Sequence, residues 1–221
     1  MIDDGIQAVV HLDSQLVDSF QAGPRQFGIS FISSVLLDFR RHLFRREPFA
    51  CPDISDELPA LEAYTLDRMR AELVESNAAI ERLLGVSPVS FAYPCGQKYV
   101  GRGSNLKSYV PLVAEHFLSG RGWMDEWAND PAYCDMAQLM AMEVDGKRFE
   151  QIKELIDRRL ADGGWLILAG HEINDDGRQT TQMSTLRALC EYAQDPANGL
   201  WLDTVEAVTR HIQRQRAGKA G

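Results

Sequence analysis

The side chains best suited to chemistry flank short apolar segments of the chain. Two adjacent carboxylates, Asp3 and Asp4, stand before Gly5, and His171 follows the apolar segment 165–170. One of two neighbouring carboxylates can bind a divalent metal while the other takes a proton from the metal-bound water. An imidazole titrates near neutral pH and can protonate a leaving amine. Taken singly, the Asp pair is typical of a turn and His171 of a packed strand end; together they are suited to chemistry in which a metal activates water and an imidazole donates a proton.

A thiol offers a different chemistry at another strand end. Cys95 follows the predicted strand 89–93, and a cysteine near a histidine can act as the nucleophile of an acyl hydrolase. No third group that would orient the histidine can be named from the sequence, so this is the less favoured alternative. Because Cys51, Cys95, Cys134 and Cys190 form no CxxC pair, neither a zinc knuckle nor a dithiol redox motif is indicated.

The segments that position these side chains alternate between strand-like and helix-like patterns, which predicts an α/β fold. The short apolar segments 27–33, 89–93, 165–170 and 200–202 are predicted strands. Helical spacing predicts helices over 12–21, 64–84, 109–118, 149–161, 184–194 and 204–215, with Gly85 as the C-cap of the second. Because parallel strands end at one rim, we expect the turn after strand 89–93 and His171 to lie there.

Composition and charge bound the class of protein. With 221 residues, 45% of them apolar, the chain fits a single domain over 1–221. A net charge of −9 argues against a general nucleic-acid binder, and the Arg-rich stretch 40–46 is interpreted as a solvated face. No apolar stretch reaches the roughly 20 residues of a membrane span, and no signal peptide is recognisable. We expect a cytoplasmic location for the chain as written, or an extracellular or periplasmic one if an upstream signal peptide is missing from it.

Three motifs occur in an order that resembles a known family. They are Asp3-Asp4-Gly5, the segment Phe91-Ala-Tyr-Pro-Cys-Gly96 after a helix that ends at Gly85, and the strand 166–170 with His171. In this order they resemble the polysaccharide deacetylase family, the NodB homology domain, over most of the chain. The resemblance implies a distorted (β/α) barrel that removes acetyl groups from an N-acetylated glycan by metal-activated water.

The resemblance also implies roles for single residues. Asp3 would be the general base, Asp4 a metal ligand and His171 the general acid that protonates the departing amine. One wall of the substrate groove would be formed by Tyr93, Pro94, Cys95 and Gly96, where a backbone amide could hold the oxyanion. The aromatic, acidic loop 122–131 adds Trp123 and Trp127, which are either core anchors or stacking surfaces for sugars.

The N-terminal part of the chain departs from the family pattern. The family has two histidine ligands four residues apart, whereas here His42 is followed four residues later by Arg46, which cannot bind a metal. We therefore expect Asp4 and His42 to share a divalent metal, zinc first and cobalt, nickel or manganese as alternatives, or no metal if the site is degenerate. Ala92 stands where the family has an arginine.

Two further features of the N-terminal part of the chain also depart from the family pattern. Only two residues precede Asp3, and the segment 35–56 lacks periodicity, so we expect an incomplete first barrel strand and an atypical segment there. An incorrect start or a local disturbance of the reading frame in the recorded sequence would explain both. The tail 216–221 is expected to be frayed.

Three functions stay open from the sequence. The first is a carbohydrate deacetylase, a hydrolase of non-peptide carbon–nitrogen bonds. The second is a catalytically impaired family member that binds glycans or a protein partner, with Trp123, Trp127 and Tyr93 as stacking surfaces. The third is the Cys/His acyl hydrolase. The expected partner is an N-acetylated glycan or sugar derivative, with no nucleic acid and no membrane span.

Overall fold

The computed structural model describes residues 61–125, 127–160, 163–177 and 179–219. Its helices are α1 (Leu66–Leu84), α2 (Val110–His116), α3 (Phe149–Leu160), α4 (Met183–Gln194) and α5 (Val205–Lys219). Its strands are β1 (Ser90–Ala92), β2 (Tyr99–Val100), β3 (Lys107–Ser108), β4 (Ser119–Arg121), β5 (Met142–Glu143), β6 (Leu168–Ala169), β7 (Glu172–Asn174) and β8 (Thr180–Gln182). Short 3-10 turns lie at Leu61–Ala63, Pro94–Gly96, Gly103–Asn105, Met136–Gln138 and Pro196–Asn198. The predicted α/β class is confirmed.

Parallel pairing dominates the part of the fold that carries the site. Strand β1 pairs with β4 and β5 pairs with β6, each in parallel. A parallel bridge between Arg121 and Leu139 joins the two pairs, because Leu139 begins the extended segment that continues into β5. The resulting order is β1, β4, β5, β6, and in the described ranges these strands do not close into a barrel. Their C-terminal ends therefore lie along one rim.

Each face of the β5–β6 pair is covered by helices, which explains why 165–169 is a continuous apolar run. Leu166 and Leu168 pack with Ile152 and Ile156 of α3. The alternate residues, Trp165, Ile167 and Ala169, pack with Val205, Val208 and Ile212 of α5. Because side chains alternate along a strand, residues 165, 167, 169 and 171 share the α5 side of the sheet.

The helix predicted over 64–84 forms as α1 and has a cap at each end. The Thr65 hydroxyl accepts a hydrogen bond from the Arg68 backbone N–H, which satisfies one donor of the first turn. Gly85 ends the helix in the left-handed conformation, at φ 68°, as the sequence predicts. The apolar stripe of α1 packs Met69, Leu73 and Ile80 against Phe91 of β1.

Several predicted boundaries differ from the structure. No strand forms at 200–202; Leu200 and Leu202 instead pack as partly buried side chains against the core beside α3. The last helix continues past the predicted end at residue 215 to Lys219, and Arg216 donates hydrogen bonds to the backbone oxygens of Pro131 and Cys134. These bonds explain why the helix extends into the segment predicted as a frayed tail. The predicted helix 12–21, strand 27–33, incomplete first strand and atypical segment 35–56 lie outside the described residues.

The buried side chain of Asn129 is hydrogen-bonded to the segments that precede β5 and β6. Asn129 is 1% exposed, and its backbone exchanges two hydrogen bonds with Trp165. Its side-chain Oδ1 accepts from the Met140 N–H at 2.8 Å, and its Nδ2 donates to the Met140 oxygen at 2.9 Å and to the Trp165 oxygen at 3.2 Å. One amide therefore satisfies backbone groups of both the β5 and the β6 segments.

We predict that Asn129→Ala destabilises the protein by about 3 kcal/mol, because it removes the side-chain partners of the partly buried Met140 N–H and C=O and of the Trp165 oxygen. Chemical denaturation would measure the change in the free energy of unfolding. Asn105→Ala, at an exposed turn position, is the matched control and should change it by less than about 0.5 kcal/mol. Equal effects of the two substitutions would contradict this account of Asn129.

Candidate active site

His171 lies just beyond the C-terminal end of β6, separated from Ala169 by one residue, near the strand end that the sequence predicts. Gly170 connects the two and cannot be replaced without movement. A Cβ atom at this position would lie 2.2 Å from Thr181 Oγ1 and 2.8 Å from Asp145 Oδ1. Contacts this short do not occur between real atoms, so glycine is required for His171, Thr181 and Asp145 to meet.

A buried carboxylate holds the imidazole of His171. Asp145 Oδ2 lies 2.5 Å from His171 Nδ1, and the side chain of Asp145 is 3% exposed against 30% for His171. Both carboxylate oxygens also accept the His171 backbone N–H, each at 3.2 Å, and Oδ1 accepts the Thr181 hydroxyl at 3.0 Å. Nε2 makes no hydrogen bond with a residue in the described ranges, so it is the ring nitrogen available to a substrate.

The charges around His171 favour its protonated form. The hydrogen bond that His171 donates to Asp145 raises the pKa of His171 above its usual value, and the negative charges of Asp145 and Glu143 act in the same direction. Partial burial and the positive charge of Arg121 lower that pKa but do not cancel the increase. His171 therefore keeps its proton to a higher pH than a free imidazole, as a general acid must.

Trp123 connects His171 with the turn that follows β1. The indole of Trp123 meets the imidazole edge to face, with ring centroids 4.6 Å apart. Gly96 packs so closely on Trp123 that a Cβ there would lie 3.2 Å from the Trp123 backbone N and O. The predicted groove residues Pro94, Cys95 and Gly96 thus form a turn next to Trp123, and Trp123 stands between this turn and His171.

The prediction that Tyr93 offers a stacking surface is wrong. Its ring is 2% exposed, and its hydroxyl donates to the backbone oxygen of Ala137 at 2.7 Å. The ring packs at 5.2 Å from Phe91 in the core, because both side chains fill the space between β1 and the helices α1 and α2. Burial raises the pKa of the Tyr93 phenol, which leaves it neutral.

Two other predicted groove residues, Cys95 and Trp127, are exposed. Cys95 adopts φ 49°, a left-handed conformation that non-glycine residues rarely take. Trp127 is 60% exposed, which agrees with a surface position. Of the two predicted tryptophans, Trp123 is the one whose ring packs on His171 in the described ranges.

The N-terminal candidates Asp3, Asp4 and His42 lie outside the described residues. Within the ranges that the structure describes, no group of three His, Cys, Asp or Glu side chains could hold a metal ion. Asp145, whose carboxylate is hydrogen-bonded to the candidate acid His171, also accepts the Thr181 hydroxyl. The described residues therefore do not form a metal site by themselves, and the expected zinc or other divalent metal stays a prediction.

The sequence interpretation did not identify Asp145, Thr181, Arg121 or Glu143. A signal for Asp145 does exist: apolar residues at 139, 141, 142 and 144 end at Asp145-Gly146, just before the helix that begins at Phe149. An apolar segment that ends in Asp-Gly before a helix is a strand-end pattern of the same kind as the one that identified His171. Thr181 had no comparable signal, because its role depends only on the fold.

Comparisons with known proteins give limited similarity. No family model matches the chain, and no curated protein matches it. A crystal structure of a putative polysaccharide deacetylase from Mycobacterium smegmatis is similar at 17% identity and a TM-score of 0.46, over 72% of this chain. This chain covers 60% of the length of that protein, and a likeness of this size decides neither fold nor activity. No helix in the described ranges is both long and apolar enough to cross a membrane.

We predict that Asp145→Asn lowers the pKa of His171 toward the usual value of about 6.5, because the substitution removes the negative partner of the imidazole. The pH dependence of the His171 ring-proton resonance would measure this. Asp67→Asn, at an exposed position of α1, removes the same charge elsewhere and should leave the midpoint unchanged.

The same pair links stability to pH. Because the pKa of His171 is raised in the folded state, its contribution to stability is complete below the unfolded pKa of about 6.5 and is lost as pH rises through the folded pKa. Asp145→Asn should therefore destabilise the protein more at pH 5 than at a pH above the folded pKa. A His171 titration midpoint in Asp145→Asn equal to that of the wild type would contradict the role of Asp145.

Proposed function

We propose that this chain is a polysaccharide deacetylase-like hydrolase that removes N-acetyl groups from a carbohydrate. The supporting observation is the buried Asp145 carboxylate bound to Nδ1 of His171 at the C-terminal end of parallel strands, with Nε2 available. An imidazole in this arrangement can supply a proton to a leaving group. The deacetylase motifs of the sequence specify the leaving group as an amine.

The reaction assigns His171 one step. Water adds to the acetyl carbonyl as the proposed base Asp3 takes its proton, the carbon–nitrogen bond breaks, and the amine nitrogen takes the proton from His171 Nε2. The products are acetate and a free amino sugar. Asp145 stabilises the imidazolium before transfer and fixes the ring so that Nε2 is the nitrogen directed to the substrate. A protonated acid matters here because an amine anion is a poor leaving group.

The groove that holds the sugar would lie at the rim, beside His171. The turn at Pro94–Gly96 contacts the Trp123 backbone, and the Trp123 ring contacts His171. Trp123 is partly exposed, so its ring can offer an apolar surface to a sugar ring. This arrangement supports an N-acetylated glycan as the substrate class.

The barrel and the metal are further parts of the proposal. The parallel order β1, β4, β5, β6 suits a distorted (β/α) barrel of the NodB type that lacks a complete first strand. We propose Asp4 and His42 as metal ligands and Asp3 as the general base. A bound zinc ion, or cobalt, nickel or manganese in its place, would supply a water with a pKa lowered toward about 7.

We predict that the protein releases acetate from N-acetylglucosamine oligomers in the presence of zinc or cobalt. His171→Ala should lower kcat by about 10²- to 10⁴-fold, which is the usual contribution of a general acid. His211→Ala is the matched control, because His211 also packs edge to face on a tryptophan, Trp201, but lies on α5. Wild-type protein without acetate release, or equal losses in the two variants, would contradict the proposal.

We predict stoichiometric zinc binding, measured by calorimetric titration of the full chain. Asp4→Ala should abolish binding because it removes a ligand, whereas His171→Ala should leave it intact, since His171 serves as the acid. Absence of stoichiometric binding by the wild-type chain would instead favour a catalytically impaired, glycan-binding protein.

A further inference from the structure

Arg121 is a buried cation at the same rim as His171. It is the last residue of β4, it is 5% exposed, and it lies opposite Ala92 of β1 in the parallel register. Directly opposed residues on neighbouring strands share a face of the sheet. On this face Ser90 and Ser119 also pair, with their hydroxyl oxygens 3.1 Å apart. Arginine is rarely buried to this degree, so its position requires an explanation.

The contacts of Arg121 lead directly to the candidate acid. Nη1 donates to the backbone oxygen of Gly122 at 3.2 Å, which anchors the guanidinium to the residue before Trp123. The guanidinium carbon lies 5.8 Å from the centroid of the Trp123 ring, within the range of a cation–π interaction. Trp123 in turn contacts His171 at 4.6 Å. The small side chain of Ala92 leaves this face of β1 open to the long side chain of Arg121.

We propose that Arg121 is a positioning residue that fixes the Trp123 indole against the His171 imidazole. Asp145 holds the imidazole at Nδ1, and Trp123 packs on the ring. The ring therefore has two restraints, a hydrogen bond and an aromatic contact, and Arg121 maintains the second. Lysine would not replace Arg121, because an ammonium lacks the planar group that can both donate to Gly122 and lie over an indole.

The positive charge of Arg121 lowers the pKa of His171, as expected for a cation close to an imidazole. Among the described residues, the charged groups that act on the imidazole are Asp145 after β5, Glu143 on β5 and Arg121 on β4, while the neutral Trp123 packs on the ring and the Thr181 hydroxyl of β8 bonds to Asp145. The two carboxylates raise the pKa of His171, and Arg121 lowers it. Arg121 thereby limits the increase caused by the acidic residues, so that His171 can still release its proton.

Nuclear magnetic resonance of His171 tests the inference without a substrate. In Arg121→Met, which removes the charge and the planar group, the titration midpoint of His171 should move to higher pH, and the cross-relaxation between Trp123 and His171 ring protons should weaken. Arg121→Lys should keep the midpoint near that of the wild type but also weaken the ring contact. Arg210→Met removes a positive charge from α5, where Arg210 pairs with Glu206, and should change neither signal.

The outcomes separate positioning from simple structural support. An unchanged midpoint and ring contact in Arg121→Met, with only a lower Tm, would overturn the inference. If that variant does not fold, Arg121→Lys decides: an unchanged Trp123–His171 contact would overturn it, and a weakened contact would support it.

The kinetic consequence rests on the proposed function. With acetate release as the assay, Arg121→Lys should lower kcat by about 10- to 100-fold through misorientation of the acid, with KM changed less. A protein that releases no acetate at all would refute the deacetylase proposal but leave the resonance result valid. An unchanged kcat in an active Arg121→Lys protein would contradict the positioning role.

Discussion

The hydrogen bonds of the Asp145 carboxylate are the constraint on which the rest of the site depends. A buried carboxylate is costly unless hydrogen-bond donors surround it, and the described residues give Asp145 three: the His171 ring, the His171 backbone N–H and the Thr181 hydroxyl. These donors come from the ends of β6 and from β8, while Asp145 itself follows β5. The carboxylate therefore fixes three strands relative to one another, and Gly170 is the residue that leaves room for the arrangement.

The described helices could be predicted from the sequence, because their apolar residues recur with helical spacing, and α1 also carries a recognisable cap at each end. The strands were harder to predict. The strand 89–93 and the segment 165–170 stand out as apolar runs, but β4 is Ser-Gly-Arg and β5 is two residues long. Their pairing is determined by partners distant in sequence and by side-chain bonds such as those of Asn129, which no local pattern reveals. At Leu200–Leu202 the sequence predicts a strand that does not form, because the apolar residues there pack against the core without joining a sheet.

The candidate site was predictable only at its most local feature. His171 follows an apolar strand, and the structure places it just beyond β6. Its partner Asp145 lies 26 residues away in the sequence. Arg121 contacts Trp123, which in turn contacts His171, so both relationships exist only in the folded chain. Tyr93 was assigned to the groove because it precedes the Pro-Cys-Gly turn. Alternation along β1 directs its ring into the core instead. Asp3, Asp4 and His42 stay predictions.

The central claim is that His171, held by Asp145, is the proton donor of an amide hydrolase. The pH profile of acetate release from N-acetylglucosamine oligomers, measured with zinc for the wild type and for Asp145→Asn, tests it most directly. The account predicts activity that falls on the alkaline side at the raised pKa of His171, and a fall that moves to lower pH in the variant. An alkaline limb at the same pH in both proteins would contradict it.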